Sequence, residues 1–339
     1  MELKKFKVNN MNIQQIYDLA VKLGIQNDLR GAAKVKKILT KIKVKYDKLN
    51  GENKQEFDKE KLTNPYSDTR ILNDNGKEVK KVMVGIDVQP AEILMAKELG
   101  VDTVISHHPL GSALADLGDV MHLQADVLAG YGVPINVAEA LTKERIAEVA
   151  RGVSASNHYR TVDAARLMGV NLMCVHTPCD NMAASFLDKV IKKIKPETVG
   201  EIIKALKEIP EYKEAVRRKA GPTIFVGNSE NSTGKIVLTE ITGGTEGAVG
   251  IYEKMSQAGI GTIIGMHMDE ERKKEAQKNH VNVVVAGHMS SDSLGVNQFL
   301  DELERRKIEI IPCSGLIRVS RIKKSKASSR KRPASKKKK

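Results

Sequence analysis

The feature that most restricts this chain is an alternation that begins at residue 81. Short β-branched runs trade places with helical patterns: VMVGIDV at 82–88, PAEILMAKELG at 90–100, DTVISHH at 102–108, a helical stretch over 119–130, VPINV at 133–137, a helix after Thr142, and NLMCVH at 171–176. After a charged helical segment over 196–219 the pattern resumes with PTIFVG, GKIVLTEIT, GTIIGMH, VNVVVAGH, a helix over 291–306 and IEIIPCSG. Strands separated by helices are joined by crossovers, so the sheet is expected to be largely parallel and covered by helices on both faces. The fold class is α/β.

Upstream, residues 11–49 read as two helices with one apolar stripe each. Ile13, Ile16, Leu19, Ala20 and Leu23 form the first, with Gly24 as a stop; Val35, Ile38, Leu39, Ile42 and Tyr46 form the second among lysines. Residues 51–78 read as connection, with turn signals at Asn64-Pro65 and Asn75-Gly76. The chain thus divides into a helical N-terminal segment and linker (1–78), an α/β core with room for two lobes (79–319) and a Lys/Arg-rich tail (320–339).

Charge follows the same division. The net +14 comprises +7 on residues 1–80 and +11 on residues 321–339, which leaves −4 on the rest. After Ile322 the tail has no apolar residue except alanines, so it cannot offset the entropy of ordering and is expected to be disordered. Such a segment suits nucleic-acid phosphates without reading their sequence; a purely solubilising role is the alternative. No run of about 18 apolar residues and no secretory h-region occur, so a cytoplasmic protein without a membrane partner is expected. Three cysteines in 339 residues make neither a disulfide framework nor a four-thiolate zinc site.

Four polar clusters close expected strands: Ser106-His107-His108-Pro109, His176-Thr177-Pro178-Cys179-Asp180, Gly265-Met266-His267, and Gly287-His288 followed by Asp292. Ligands of open α/β sheets bind beyond the carboxyl ends of the strands, so these groups can converge. Five of the eight histidines sit at such ends. Neighbours on an extended segment point apart, so His107 and His108 would serve two ions or diverge around a turn at Pro109. His288 and Asp292 share a helix face if the helix begins near Ser290 or Ser291. A lone strand-end histidine is ordinarily structural, and either aspartate alone is ordinarily a cap; the set together points to a metal site.

SHHPL, HTPCDN and AGHMSSDSLG, in this order and with GID upstream, resemble the Nif-three-like family of dinuclear metal-centre proteins, often labelled GTP cyclohydrolase I type 2. The resemblance spans roughly residues 79–319. It implies two divalent ions bound by His107, His108, Asp180, His288 and Asp292, within a Nif-three-like fold of mostly parallel sheets flanked by helices that assembles as a toroidal homohexamer. Three departures stand out. Asp292 replaces the usual Glu, the stretch between the His-His pair and Asp180 is longer than in compact relatives, and the later strand shows Met266-His267, which makes His267 a candidate catalytic group only.

Two ions about 3.5–4 Å apart, bridged by a carboxylate and a water, acidify that water and clamp a substrate oxygen. The expectation is a metal-dependent hydrolase with the metal-bound water as nucleophile. Its substrate would be small and anionic, a nucleotide or phosphoester, since two aspartates offset only part of the ionic charge. The donors suit Zn, Fe, Mn or Ni alike. The alternative is a non-catalytic, metal-stabilised oligomeric scaffold whose basic tails bind nucleic acid or ribonucleoprotein, with avidity from multivalency. Thr242–Gly247 matches no phosphate-loop pattern and reads as a strand-to-helix turn, while Glu139, His122, Asp126 and His158 suit packing as well as the site. Cys179 shows no sign of activation.

Overall fold

The computed structural model describes residues 11–322. Among these described residues nine strands form two sheets: β1 (Arg70–Asn73), β2 (Lys81–Gly85), β3 (Thr103–Ser106), β4 (Asn171–Cys174) and β9 (Glu309–Cys313) in one, β5 (Thr223–Val226), β6 (Lys235–Glu240), β7 (Ile260–Gly265) and β8 (Asn282–Val285) in the other. The orders are β1-β4-β3-β2-β9 and β5-β8-β7-β6. Only the β1–β4 and β5–β8 pairs are antiparallel; all others are parallel, as the crossover argument requires. β3, β4 and β8 are buried at every position, which is why their sequences read as continuous apolar runs.

Two helices, Thr177–Ile194 after β4 and His288–Arg305 after β8, pack against each other. Their crossing depends on Gly295, where an added Cβ would stand 2.1 Å from the Cys179 carbonyl oxygen. No side chain fits there. Phe299, Leu300 and Leu303 continue the second helix into the first-sheet core with Val84, Ile105 and Met173, while Leu294 joins Leu187, Leu238, Ile264 and Val284 in the second.

Several local expectations change. Gly24 does not stop the first helix, which runs Ile13–Asn27; its missing Cβ instead admits Pro178 of the neighbouring helix, whose Cα would lie 2.8 Å from it. VPINV is not a strand. Pro134 caps a helix over Ile135–Ser154, because the following AEALTKERIAEVARG is rich in helix formers and the run finds no sheet partner. The 119–130 pattern is two helices, Leu117–Val120 and His122–Gly130. Residues 70–73, expected as connection, form β1. The second helix of the N-terminal segment, Ala32–Asp47, buries only Val35. Residues 323–339, nearly all of the basic tail, lie outside the described residues. Among the described residues no helix is long and apolar enough to cross a membrane.

Candidate metal centre

The carboxyl ends of β3, β4 and β8 bring five side chains together. Beyond β3 the backbone bends at His107 and His108 but stays bound to the segment after β2, with His107 N–H donating to the Gly85 carbonyl at 2.9 Å and His108 N–H to the Ile86 carbonyl at 3.0 Å. His107 is buried and its Nδ1 lies 3.0 Å from the Val175 carbonyl. A carbonyl only accepts, so Nδ1 carries the proton and Nε2 turns inward. That Nε2 is 3.3 Å from Asp180 Oδ1 and 3.6 Å from Asp292 Oδ1, in geometry that makes no hydrogen bond.

The two neighbours do not point apart as an extended segment would make them: the backbone bends, the rings lie with centroids 5.4 Å apart, and both face Asp292. Its Nδ1 is bound to Asp87 Oδ1 at 2.6 Å, which leaves Nε2 at 3.4 Å from Asp292 Oδ2. His288 Nε2 approaches the same oxygen at 3.5 Å. The helix starts at His288 rather than near Ser290 or Ser291, so His288 and Asp292 are one turn apart and share a face. Asp292 is the common element: one oxygen faces His107, the other faces His108 and His288.

Potential donor atoms fall into overlapping sets within 4.8 Å of one another: His107, Asp180 and Asp292; His108, His288 and Asp292; and His107, His108 and His176. These buried His and Asp groups could hold a metal ion. Burial pulls His107 toward its neutral form, but Asp292 and Asp180 outweigh this and hold its pKa well above the ordinary imidazole value. Burial likewise disfavours the Asp292 charge, and His107, His108 and His288 override it, keeping the carboxyl far below its usual range. Burial dominates at His288, whose pKa is lowered.

Sequence reasoning placed His176 at a strand end but not among the ligands. Its Nε2 is 3.7 Å from Asp180 Oδ2, and its Nδ1 is fixed at 2.8 Å by Asp68. Asp68 is fully buried; burial opposes its charge, but His176 and Thr177 prevail and its pKa is lowered. The spacing His176-x3-Asp180, identical to His288-x3-Asp292, was a usable signal. Asp68, within the expected connection, offered none.

His267 lies at the rim, its ring 4.6 Å from that of His288. Its Nδ1 meets Glu246 Oε1 at 2.5 Å, and this bond raises the His267 pKa against the opposing pull of burial. Burial pushes Glu246 up, but His267 outweighs it and takes its pKa down to about 2. Glu240 is half-buried nearby, with Tyr252 donating to Oε1 at 2.7 Å and the enclosed Oε2 unpartnered; desolvation raises its pKa. Thr242–Gly247 is the turn that delivers Glu246, with Gly243 and Gly244 at φ +93° and +94° and the Gly243 and Thr245 carbonyls bound by Gln124. The remaining candidates lie elsewhere. Asp126 pairs with Lys34 at 3.0 Å, His158 Nε2 binds the Val153 carbonyl at 2.9 Å, and Glu139 and His122 are exposed on helices. Cys179 is buried, and burial raises its thiol pKa, which disfavours the thiolate a nucleophile needs.

A family model for Duf34/NIF3 (NGG1p interacting factor 3) matches residues 70–115, which include His107 and His108. No curated protein matches the sequence. Among solved structures, a NIF3 superfamily protein from Sphaerobacter thermophilus superposes over 91% of this chain and 99% of its own, with 22% identity and a TM-score of 0.70. TTHA1606 from Thermus thermophilus (15% identity, 76% of this chain and 92% of that one, TM-score 0.44) and reduced HcgD from Methanocaldococcus jannaschii (15%, 72% and 87%, TM-score 0.43) are more distant. The segment 70–115 is thus similar to NIF3, and the chain shares its fold with the Sphaerobacter protein.

Proposed function

We propose that the chain holds two divalent ions at this centre and hydrolyses a small anionic phosphoester or nucleotide. His107, Asp180 and Asp292 would hold one ion and His108, His288 and Asp292 the other. The observation that carries this reading is a set of orphaned atoms. Six buried side-chain N and O atoms lack a hydrogen-bond partner among the described residues, and four are His107 Nε2, Asp180 Oδ1 and both Asp292 oxygens. An unpaired buried polar atom costs roughly 1–3 kcal/mol, and more when charged. A cation satisfies carboxylate and neutral imidazole donors at once, so the residues fit the group.

The bound ions would supply Lewis acidity toward a phosphoryl oxygen and toward water. The chain's own residues prepare the rest. Val175, Asp87 and Asp68 each hold Nδ1–H of a histidine, so that His107, His108 and His176 present Nε2 to the centre. Glu246 does the same for His267, leaving its Nε2 as the atom that holds or moves a proton at the open rim. The excess positive charge of two ions over two aspartates favours an anion.

Metal analysis of purified full-length protein tests the first half: about two ions per chain are expected, falling in Asp292→Ala. Fewer than about one ion per chain in the wild type overturns it. A metal-dependent hydrolysis screen over phosphoesters and nucleotides tests the second, with Asp180→Ala as the inactive control. Turnover that is equal in Asp180→Ala would refute hydrolysis at this centre.

A further inference from the structure

A cavity of about 430 Å³ opens beside His108, within the size range of small-molecule sites. Asp87, Gln89 and His108 line one side, and Asn157, Arg160 and Thr161 line another. The second wall comes from the segment between the His-His pair and Asp180, where the chain passes into the helix Arg160–Met168. Three independent features of that wall point to an anion.

Arg160 is exposed in the cavity and its guanidinium makes no ion pair or hydrogen bond among the described residues. Thr161 is only 6% exposed, yet its hydroxyl has no partner there either, so a nearly buried donor is aimed at the open space. The helix that follows has no side-chain cap at Tyr159, so its leading N–H groups are uncommitted and carry the positive end of the helix dipole. The carboxylate across the cavity, Asp87, is committed to His108. The cavity is therefore polarised, negative toward His108 and positive at Arg160.

We infer that this cavity seats the non-reacting phosphate of the substrate on Arg160, Thr161 and the N–H groups that begin the helix, with the rest of the molecule reaching past His108 to the metal centre. The inference rests on the proposed hydrolysis only for what happens at that far end. Among the described residues no Phe, Tyr or Trp lines the cavity, and its one aromatic ring, His108, is tied to Asp87 and turned toward Asp292, so it offers a nucleobase little stacking surface. The amides of Gln89 and Asn157 instead suit hydroxyl groups. The substrate class is a phosphoester of a hydroxylated carbon chain that carries a second phosphate.

Inorganic phosphate is titrated by calorimetry into full-length protein, both metal-loaded and stripped by chelator and dialysed, for the wild type, Arg160→Gln, Arg160→Lys and Thr161→Val. The stripped wild type keeps one phosphate site, because the seat contains no metal ligand. Arg160→Gln weakens it by about tenfold or more, Thr161→Val by a few-fold, and Arg160→Lys falls between, all with wild-type metal content and melting temperature. Equal phosphate affinity in stripped wild type and Arg160→Gln, or no phosphate site in the stripped wild type, overturns the inference and leaves the metal centre untouched. Arg160-dependent phosphate binding in a protein that takes up no metal supports the seat and removes the proposed hydrolysis.

Discussion

In the first sheet the order β1-β4-β3-β2 sets an antiparallel edge strand beside parallel neighbours, and in the second β5-β8-β7-β6 repeats it, down to the residue skipped in the register of each edge strand. Each half also begins the helix after its fourth strand with the spacing His-x3-Asp. The halves then part. Among the described residues, the histidines that Asp180 meets belong to its own half, His107 at 3.3 Å and His176 at 3.7 Å. Asp292 reaches across, to His107 at 3.6 Å and His108 at 3.4 Å, as well as to its own His288 at 3.5 Å. The third strand of the first half delivers two histidines, whereas that of the second delivers a buried Met266 and a His267 tied to Glu246. A repeated frame has thus become asymmetric: one half supplies His107 and Asp180 to one set and His108 to the other, and the second half supplies the shared Asp292, His288 and a rim where His267 is tied to Glu246.

The widest breach of this comparison is Gly295→Ala, at the crossing that holds the halves together. A Cβ 2.1 Å from a backbone oxygen forces the two helices apart, at an expected cost of about 3 kcal/mol or more read by chemical denaturation, with loss of metal as Asp180 and Asp292 separate. A wild-type unfolding midpoint would show that the crossing is not what joins the halves. Next comes Asp292→Ala, expected to release both ions, since both proposed sites share it; one ion retained at full affinity would mean that the carboxylate does not bridge.

Asp180→Ala and His288→Ala sharpen the asymmetry. Each should cost one ion and spare the other, so metal content falls by about half in either variant. If Asp180→Ala loses as much metal as Asp292→Ala, the two halves are equivalent after all. The smallest effects come from the orienting carboxylates. Asp68→Asn keeps the shape but not the acceptor strength facing His176, and should weaken metal binding by roughly 10–100-fold in competition with a chelator. Glu246→Gln should leave metal content unchanged and lower kcat by about tenfold on whichever phosphoester the screen yields. A metal defect in Glu246→Gln, with none in Asp68→Asn, would invert the assignment of holding and working sides.

How much could be read beforehand depended on whether the signal was local. The strands around His107, His176 and His288 are continuous apolar runs, so their ends were visible, and the His-Asp spacing on a helix is fixed by 3.6 residues per turn. VPINV misled because a short run with three β-branched residues has no intrinsic strand identity without a partner strand. Gly24 misled because a glycine that ends a helix and one that admits a neighbouring helix look alike in sequence.

What the amino-acid order determined alone was the α/β alternation, the placing of five histidines at strand ends and the segregation of positive charge onto the two ends of the chain. Those are consequences of short-range periodicity and composition. Only the tertiary structure decided that Asp68 would orient a histidine 108 residues away, that Asp292 would face both members of the His-His pair, and that Arg160 and Thr161 would wall a cavity beside His108. Such groupings arise where sheets and helices pack. Packing is set by shape complementarity among residues far apart in the chain, such as the missing Cβ of Gly295 against the Cys179 carbonyl, and no window along the sequence contains both partners.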